Sequence, residues 1–172
     1  MWSRRMLSID PGLNGTGVVY WFDGVPQRAA VLRPLVGQVR STLKDDEDSL
    51  VARARTLTQL VIAVSKAPST PHTVVIEFPE FHESIKGRMA RSTGSIDRLS
   101  FLIGVMVGQM PNHWRVMLPL VREWKGQLPK DVVIKRMTQC YGKACVTHLG
   151  MKTHAWDALG IGEWAWRQTW MR

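Results

Sequence analysis

The stretch Leu7-Ser-Ile-Asp-Pro-Gly-Leu-Asn-Gly-Thr-Gly-Val-Val-Tyr20 predicts a strand, a tight glycine-rich turn and a second strand. Asp10 ends the first strand, and Pro11 biases it toward extended geometry. The glycines that follow permit a close approach of backbone, which leaves room beside the acid for a bulky group such as a metal-bound phosphate. Taken alone, the same residues equally suit a hairpin whose aspartate caps the turn. The rest of the chain must decide between these two interpretations.

The composition is that of a globular protein with an excess of positive charge. The 172 residues are 45% apolar and 22% charged, which predicts a single domain over 1–172. The net charge is +9, and such basic domains often bind nucleic acid, although the charge can also serve solubility or a membrane surface. No apolar run approaches the roughly 20 residues that cross a bilayer, and the N-terminus lacks a signal-peptide apolar region. We therefore expect a cytoplasmic protein without a membrane partner.

Hydrophobic periodicity and turn signals predict an α/β fold. Three short strands come first and are joined by tight turns, which suggests an antiparallel meander. Helices and strands then alternate, which predicts a mixed sheet with helices on its faces. The predicted strands are Arg4–Asp10, Val18–Phe22, Arg28–Arg33, His72–Glu77 and Arg115–Leu118. The predicted helices are Leu50–Lys66, Ser95–Met110, Asp131–Tyr141 and Thr153–Trp170, with a short helical turn at Val121–Gly126 and a loop at Tyr141–Met151.

Two clusters of potential metal ligands have simpler interpretations. The acids at 45–48 precede the first helix, where they suit an N-terminal cap and the helix dipole. A zinc site could be drawn from a second cluster, but its spacing matches no common pattern, and reduced thiols are expected in a cytosolic protein. That second cluster comprises Cys140, Cys145, His148 and His154.

Acidic side chains end two of the predicted strands. Asp10 closes the first strand and Glu77 closes the fourth. If these strands are adjacent and parallel, both carboxylates emerge at the carboxyl edge of the sheet, where open α/β sheets bind ligands. The last helix begins with Thr153-His-Ala-Trp-Asp157, so that His154 and Asp157 share one face of its first turn. Four potential ligands are thus expected at one edge.

Three carboxylates in one place repel each other unless cations neutralise them. Oxygen ligands of this kind suit Mg²⁺ or Mn²⁺, and two such ions about 3.5–4 Å apart can support phosphodiester hydrolysis. Each acid alone has an ordinary explanation, for example Asp157 as an acid favoured by the helix dipole. The joint pattern, on a basic chain, favours a nuclease.

The motifs resemble those of RuvC-type Holliday junction resolvases, which belong to the ribonuclease H-like superfamily. Ile9-Asp-Pro-Gly-Leu-Asn-Gly-Thr-Gly17 is similar to the first catalytic motif of that family, Val75-Ile-Glu77 to the second and His154-Ala-Trp-Asp157 to the third. Trp124-Lys-Gly126 with Pro129-Lys130 resembles its basic segment, and Phe78-Pro79 resembles bacteriophage-type relatives. The resemblance covers nearly the whole chain. It implies a ribonuclease H-like mixed five-stranded sheet, three antiparallel strands and then two parallel ones, flanked by helices.

The resemblance also implies roles for individual residues. Asp10, Glu77 and Asp157 would be catalytic metal-binding carboxylates, with His154 at a position where many relatives have Asp and some have His. An imidazole there is a possible metal ligand or acid–base group, and it would favour Mn²⁺ over Mg²⁺. The DNA-binding residues implied by the resemblance, or by the aromatic and basic loop after Glu77, are Lys125 and Lys130, Phe81, Lys86, Arg88 and Arg91. Phe81 is the expected base-opening aromatic and Phe78 the expected packing residue, although the loop could also be an ordinary solvated one.

The favoured function is that of a metal-dependent endonuclease that resolves four-way DNA junctions with paired, symmetric nicks. Relatives act as homodimers, and the glycine-containing helix Ser95–Met110 is the expected interface unless it merely covers the sheet. Two alternatives remain open at this stage. One is a related nuclease acting on flaps, branched replication DNA or RNA–DNA hybrids, and the other is an inert nucleic-acid-binding module on the same fold.

Overall fold

A computed structural model describes residues 4–34, 47–65, 73–80 and 94–170. This part of the chain contains five strands and six helices, with the three-strand meander first, as the sequence predicts, and four consecutive helices after the last strand. The strands are β1 (Arg5–Asp10), β2 (Thr16–Phe22), β3 (Val25–Leu32), β4 (Thr73–Ile76) and β5 (Arg115–Met117). The helices are α1 (Glu47–Ser65), α2 (Ser95–Gly108), α3 (Val121–Trp124), α4 (Lys130–Tyr141), α5 (Lys143–His148) and α6 (Thr153–Trp170).

The strands form one mixed sheet in the order β3-β2-β1-β4-β5. β1 pairs antiparallel with β2, which pairs antiparallel with β3. β1 pairs parallel with β4, and β4 pairs parallel with β5. The predicted α/β fold, with three antiparallel strands and then two parallel ones, is therefore confirmed.

Each face of the sheet buries a separate apolar cluster, because successive side chains of a strand point to opposite faces. Leu7 and Ile9 of β1 join the cluster beneath α1 and α2, which contains Leu57 and Leu102. Met6 of β1 joins the cluster beneath α4, α5 and α6. The sheet therefore has an α1–α2 face and an α6 face, and β1 is its central strand.

Helix α6 lies very close to the sheet because small and polar residues meet it. The Ser8 hydroxyl donates a hydrogen bond to the carbonyl oxygen of Ala158 at 2.6 Å, and the Trp21 indole N–H donates to the Ser8 hydroxyl at 2.8 Å. A methyl group at Gly162 would overlap the Trp21 ring. These contacts fix α6 over β1 and β2.

Several predicted boundaries differ from the structure. The segment Tyr141–Met151, expected to be a loop, contains helix α5, a single short helix with too few residues to give an apolar period. β3 begins at Val25 rather than Arg28, because the pairing with β2 continues past a register shift near Trp21. Helix α1 begins at Glu47, inside the acidic cluster, and Asp45 and Asp46 fall outside the described residues. Within the described ranges, no helix has the length and apolar character needed to span a bilayer.

Candidate functional site

Asp10 and Glu77 leave neighbouring parallel strands at the same edge of the sheet. Ile9 of β1 is opposite Ile76 of β4, and the Glu77 backbone N–H donates to the Ile9 carbonyl oxygen at 3.0 Å. Asp10 follows Ser8 by two positions, so both side chains point to the α6 face. Glu77 follows the buried Val75 of the α6-face cluster in the same way. Strand alternation therefore directs both carboxylates toward the start of α6.

The first turn of α6 adds His154 and Asp157 to this edge. The turn can reach it because Gly17, opposite Asp10 in the β1–β2 pair, has no side chain: a methyl group there would overlap the backbone carbonyl of His154. The His154 Nδ1 atom lies 2.8 Å from Asp10 Oδ2, at hydrogen-bonding distance. The four residues predicted for the site thus converge.

The segment after β5 supplies three further contacts to the acids. The Trp124 indole N–H donates to Glu77 Oε2 at 2.9 Å. The Lys125 ammonium lies 3.3 Å from Asp157 Oδ1, and the Lys130 ammonium donates to the other oxygen of Asp157. Both predicted DNA-binding lysines therefore lie at the site, where they neutralise one of its carboxylates.

Burial and mutual repulsion perturb the acids of the site. Burial, with a smaller contribution from the Asp10 charge, raises the pKa of Glu77 from an ordinary 4.5 to about 7. Burial also raises the pKa of Asp10, against the lowering effect of its hydrogen bond with His154. That same hydrogen bond raises the pKa of His154. Burial, together with the charges of the neighbouring acids, therefore opposes the ionisation of Asp10 and Glu77.

The types of donor at this edge fit a hard divalent cation. Carboxylate oxygens with one imidazole are ligands that Mg²⁺ and especially Mn²⁺ accept, and a cation would relieve the repulsion that raises the Glu77 pKa. Among the residues that the structure describes, no three His, Cys, Asp or Glu side chains are already arranged to hold one metal ion. The donors instead contact each other, Trp124 and the two lysines.

The other sequence predictions have mixed outcomes. Phe78 packs against the α1–α2 cluster, and its backbone N–H donates to the Pro119 carbonyl oxygen at 2.8 Å. Cys140 and Cys145 are free thiols, and the described residues contain no zinc cluster. The predicted DNA-binding residues Phe81, Lys86, Arg88 and Arg91 lie outside the described residues.

Sequence reasoning missed the residues that hold the site in shape. The sequence indicates Trp124 only as part of a basic segment, and nothing in its position predicts a bond to an acid 47 residues away. The contact of Gly17 with α6 is equally non-local. Ser8 carried one signal, since it is a small polar residue inside an otherwise apolar strand, and buried polar groups need partners.

Comparison with known proteins identifies the fold. The chain is similar to the structure of RuvC from T. thermophilus in complex with Holliday junction substrate, with a TM-score of 0.63 and 16% identity over 96% of this chain and 94% of that chain. It is similar to a further Thermus thermophilus RuvC structure, with a TM-score of 0.63 and 13% identity over 95% of this chain and 94% of that one. No family model matches the sequence, and no curated protein matches it at a significant level. The resemblance inferred from the motifs is thus confirmed in the fold.

Proposed function

We propose that the protein is a divalent-metal-dependent endodeoxyribonuclease that resolves four-way DNA junctions with paired, symmetric nicks. One observation carries the proposal: two strand ends and the first turn of α6 bring Asp10, Glu77 and His154 to one edge, with Asp157 and two lysines beside them. The fold is shared with a RuvC that was solved with a Holliday junction. We take residues 1–172 as one nuclease domain in the cytoplasm.

The cation-binding residues in this proposal are Asp10, Glu77, His154 and Asp157. These residues would hold two Mg²⁺ or Mn²⁺ ions per site, whose chemistry would be the activation of a water and the stabilisation of the leaving oxygen, with a 5′-phosphate and a 3′-hydroxyl as products. His154 orients Asp10 through the 2.8 Å contact at Nδ1. Its other ring nitrogen would bind a metal ion or transfer a proton, and the Nδ1 contact is compatible with both roles.

Lys125 and Lys130 would exchange partners when DNA binds. Each ammonium now lies on an oxygen of Asp157, which is only 13% exposed as a side chain. A phosphate that approaches the carboxylates brings negative charge to the same place, and lysine is a good phosphate partner. The two lysine ammonium groups beside the buried acids therefore support the proposal that the site binds a phosphodiester.

The remaining DNA contacts in this proposal come from the segment after Glu77. Phe81 would open bases at the junction centre, and its neighbours Lys86, Arg88 and Arg91 would bind phosphates. The net charge of +9 supports a phosphate-led interaction, whose affinity should fall steeply as salt rises. An affinity that is independent of salt would contradict this part of the proposal.

Paired nicks require two sites, and we infer a homodimer through α2. Phe101 on this helix is 40% exposed, and a methyl group at Gly104 would meet no atom of the described residues within 4 Å. An exposed aromatic beside a glycine suits close packing against the same helix of a second copy. Light scattering of the wild type and Phe101→Asp tests this: we expect a dimer that the charge dissociates, and a wild-type monomer would overturn the inference.

The decisive experiment is cleavage of a synthetic four-way junction, with mapped incision sites, beside matched flap, linear duplex and RNA–DNA hybrid substrates. We expect symmetric nicks in the junction with Mg²⁺ or Mn²⁺ and none with EDTA. Preferred cleavage of flaps or hybrids would favour the related-nuclease alternative. Junction binding without cleavage in either metal would identify an inert binding module.

A further inference from the structure

We propose that Trp124 is a positioning residue for Glu77: its indole N–H fixes one carboxylate oxygen, and Gly160 provides the space that holds the ring in place. The inference rests on the proposed function, since it concerns how that site is kept ready for a cation. Trp124 ends the short helix α3, and its N–H donates to Glu77 Oε2 at 2.9 Å.

The ring lies against the backbone of α6 at a point without a side chain. A methyl group at Gly160 would lie 2.6 Å from Trp124 Cζ3 and 3.3 Å from Cε3, so any larger residue would displace the ring. Gly160 therefore allows an approach that no other residue permits. The ring position decides where the N–H points, because an indole has one donor in a fixed direction.

Packing alone does not explain the position of this ring. Trp124 borders an open cavity of about 490 Å³ between α4 and α6, which Met137 and Trp164 also line. A ring with open space beside it can move unless a directional contact holds it. The hydrogen bond to Glu77 is such a contact, and the close packing of the ring against Gly160 limits its movement on the side of α6.

The residues around Trp124 form ion pairs with acids of neighbouring segments. Arg122 lies 2.8 Å from Glu80, and Lys125 contacts Asp157 while its ammonium lies 5.5 Å from the centre of the Trp124 ring. The Glu123 carboxylate accepts a hydrogen bond from the Leu120 backbone N–H at 2.6 Å, which holds the start of α3. The segment 122–125 is thus held by an ion pair on each side of Trp124, and the one made by Lys125 is with Asp157 of the site.

An uncharged donor is suited to this role. Glu77 is repelled by Asp10 and Asp157, so its carboxylate needs a partner that holds its orientation. A lysine in place of Trp124 would compete with a divalent cation for the same oxygens, because it carries charge itself. The indole N–H orients Oε2 without adding charge. Groups that orient metal ligands in this way typically change metal affinity or activity about 10–100-fold when removed.

The first test measures metal binding directly. Trp124→Phe keeps most of the ring and removes the N–H, and we expect about 10-fold weaker Mn²⁺ binding by calorimetry, with kcat reduced and KM for junction DNA little changed. Trp166→Phe is the matched control, since Trp166 packs over Gly24 in the β2–β3 turn, at the opposite end of the sheet from Asp10. It should bind Mn²⁺ like the wild type.

A spectroscopic readout separates positioning from a purely structural role. The indole N–H resonance of Trp124, assigned by its loss in Trp124→Phe, should shift when Mg²⁺ is added to ¹⁵N-labelled protein. In Glu77→Ala this shift should disappear. If the chemical shift of the Trp124 indole N–H in the wild type did not change on addition of Mg²⁺, the proposal would be overturned.

Gly160→Ala provides a second variant in case Trp124→Phe does not fold. It retains the N–H but displaces the ring, so it should weaken Mn²⁺ binding as well. Wild-type Mn²⁺ affinity in folded Trp124→Phe or in Gly160→Ala overturns the positioning role and leaves the proposed function intact. A wild type that binds Mn²⁺ but cleaves none of the DNA substrates overturns the proposed function, while the weakened binding of the variants still supports the role of Trp124.

Discussion

The two faces of the sheet are built in different ways. On the α1–α2 face, helices bury apolar side chains such as Leu57 and Leu102 against β1, β2 and β4. The α6 face also buries apolar side chains, but it adds the hydrogen bonds of Ser8 and glycine contacts at positions 17, 160 and 162. Apolar burial is non-directional, whereas hydrogen bonds and close backbone contacts fix a position precisely. The candidate site lies on the face that is held precisely.

The largest expected effect follows from changing the site without changing its packing. Asp10→Asn should lower junction cleavage about 10³-fold or more, because a metal site supplies several kcal/mol of transition-state stabilisation. Its thermal stability should be unchanged or higher, since a buried carboxyl with a raised pKa is removed. Rate measurements and thermal melts check both points.

Asp23→Asn is the matched control for this change, because Asp23 lies in the β2–β3 turn, and asparagine tolerates its positive φ of 45°. It should cleave like the wild type. Full cleavage by folded Asp10→Asn would contradict the carboxylate mechanism.

A change on the α1–α2 face should have the opposite signature. Leu102→Ala removes a fully buried side chain and should lower the free energy of unfolding by about 3 kcal/mol. Cleavage per folded molecule should stay near that of the wild type, because the site lies across the sheet. Urea denaturation and rates below the melting temperature measure the two effects.

Leu118→Ala is the control for the loss of side-chain bulk, since Leu118 is 42% exposed. It should change stability by less than about 1 kcal/mol. If folded Leu102→Ala lost as much cleavage activity as Asp10→Asn, the α1–α2 face would contribute to the site as well as to stability, and the comparison of the two faces would fail.

Glu77 makes the α6 face sensitive to pH in the absence of metal. Its pKa is about 7 in the folded chain against an ordinary 4.5, so the folded state binds the proton more tightly. This contribution to stability is complete below about pH 4.5 and is lost as the pH rises through about 7. The wild type should therefore lose stability relative to Glu77→Gln as the pH rises. Between about pH 4.5 and pH 8, the difference in the free energy of unfolding should change by about 2 kcal/mol in favour of the variant, after discounting for partial exposure.

Urea denaturation in EDTA at both pH values measures this difference. If the free energy of unfolding differed between Glu77→Gln and the wild type by the same amount at both pH values, the raised pKa of Glu77 would be contradicted. Added Mn²⁺ should stabilise the wild type at the higher pH and have less effect on the variant.

The smallest expected change affects stability and activity together. Ser8→Ala leaves the Trp21 indole N–H without its acceptor and removes the second hydrogen bond to the Ala158 carbonyl, which keeps its bond within α6; this should lower stability by about 1 kcal/mol. Cleavage should fall as well, because α6 carries His154 and Asp157. Thr56→Ala, which removes an exposed hydroxyl bonded within α1, should do neither. A Ser8→Ala variant with lower stability but full cleavage would show that the position of α6 is set elsewhere.

The parts of the structure that the sequence predicted are those with local or periodic causes. Strand alternation and turn residues predicted β1, β2 and the meander, and the position of Asp10 and Glu77 after apolar strands predicted their common edge. The third-motif pair was predictable because His154 and Asp157 are three residues apart on a helix.

The parts that were not predicted depend on contacts between distant residues or on weak local patterns. Helix α5 is too short to give a period. The Trp124–Glu77 bond and the contact between Gly17 and His154 join segments that only the fold brings together. Lys125 and Lys130 pair with Asp157, whereas the sequence indicated only phosphate contacts for them. This pairing balances the charge of a buried carboxylate, and the spacing of residues along the sequence does not reveal it.

The contact between Gly17 and the first turn of α6 also bears on how the protein is made. Asp10 lies on the β1–β2 hairpin, which precedes α6 along the chain, so a ribosome completes the hairpin well before it makes that helix. Gly17 on the hairpin stays uncovered until α6 has been made and packs against it. A nascent chain would therefore carry Asp10 before it carries His154 and Asp157, so the cluster of acids assembles only once α6 has been synthesised.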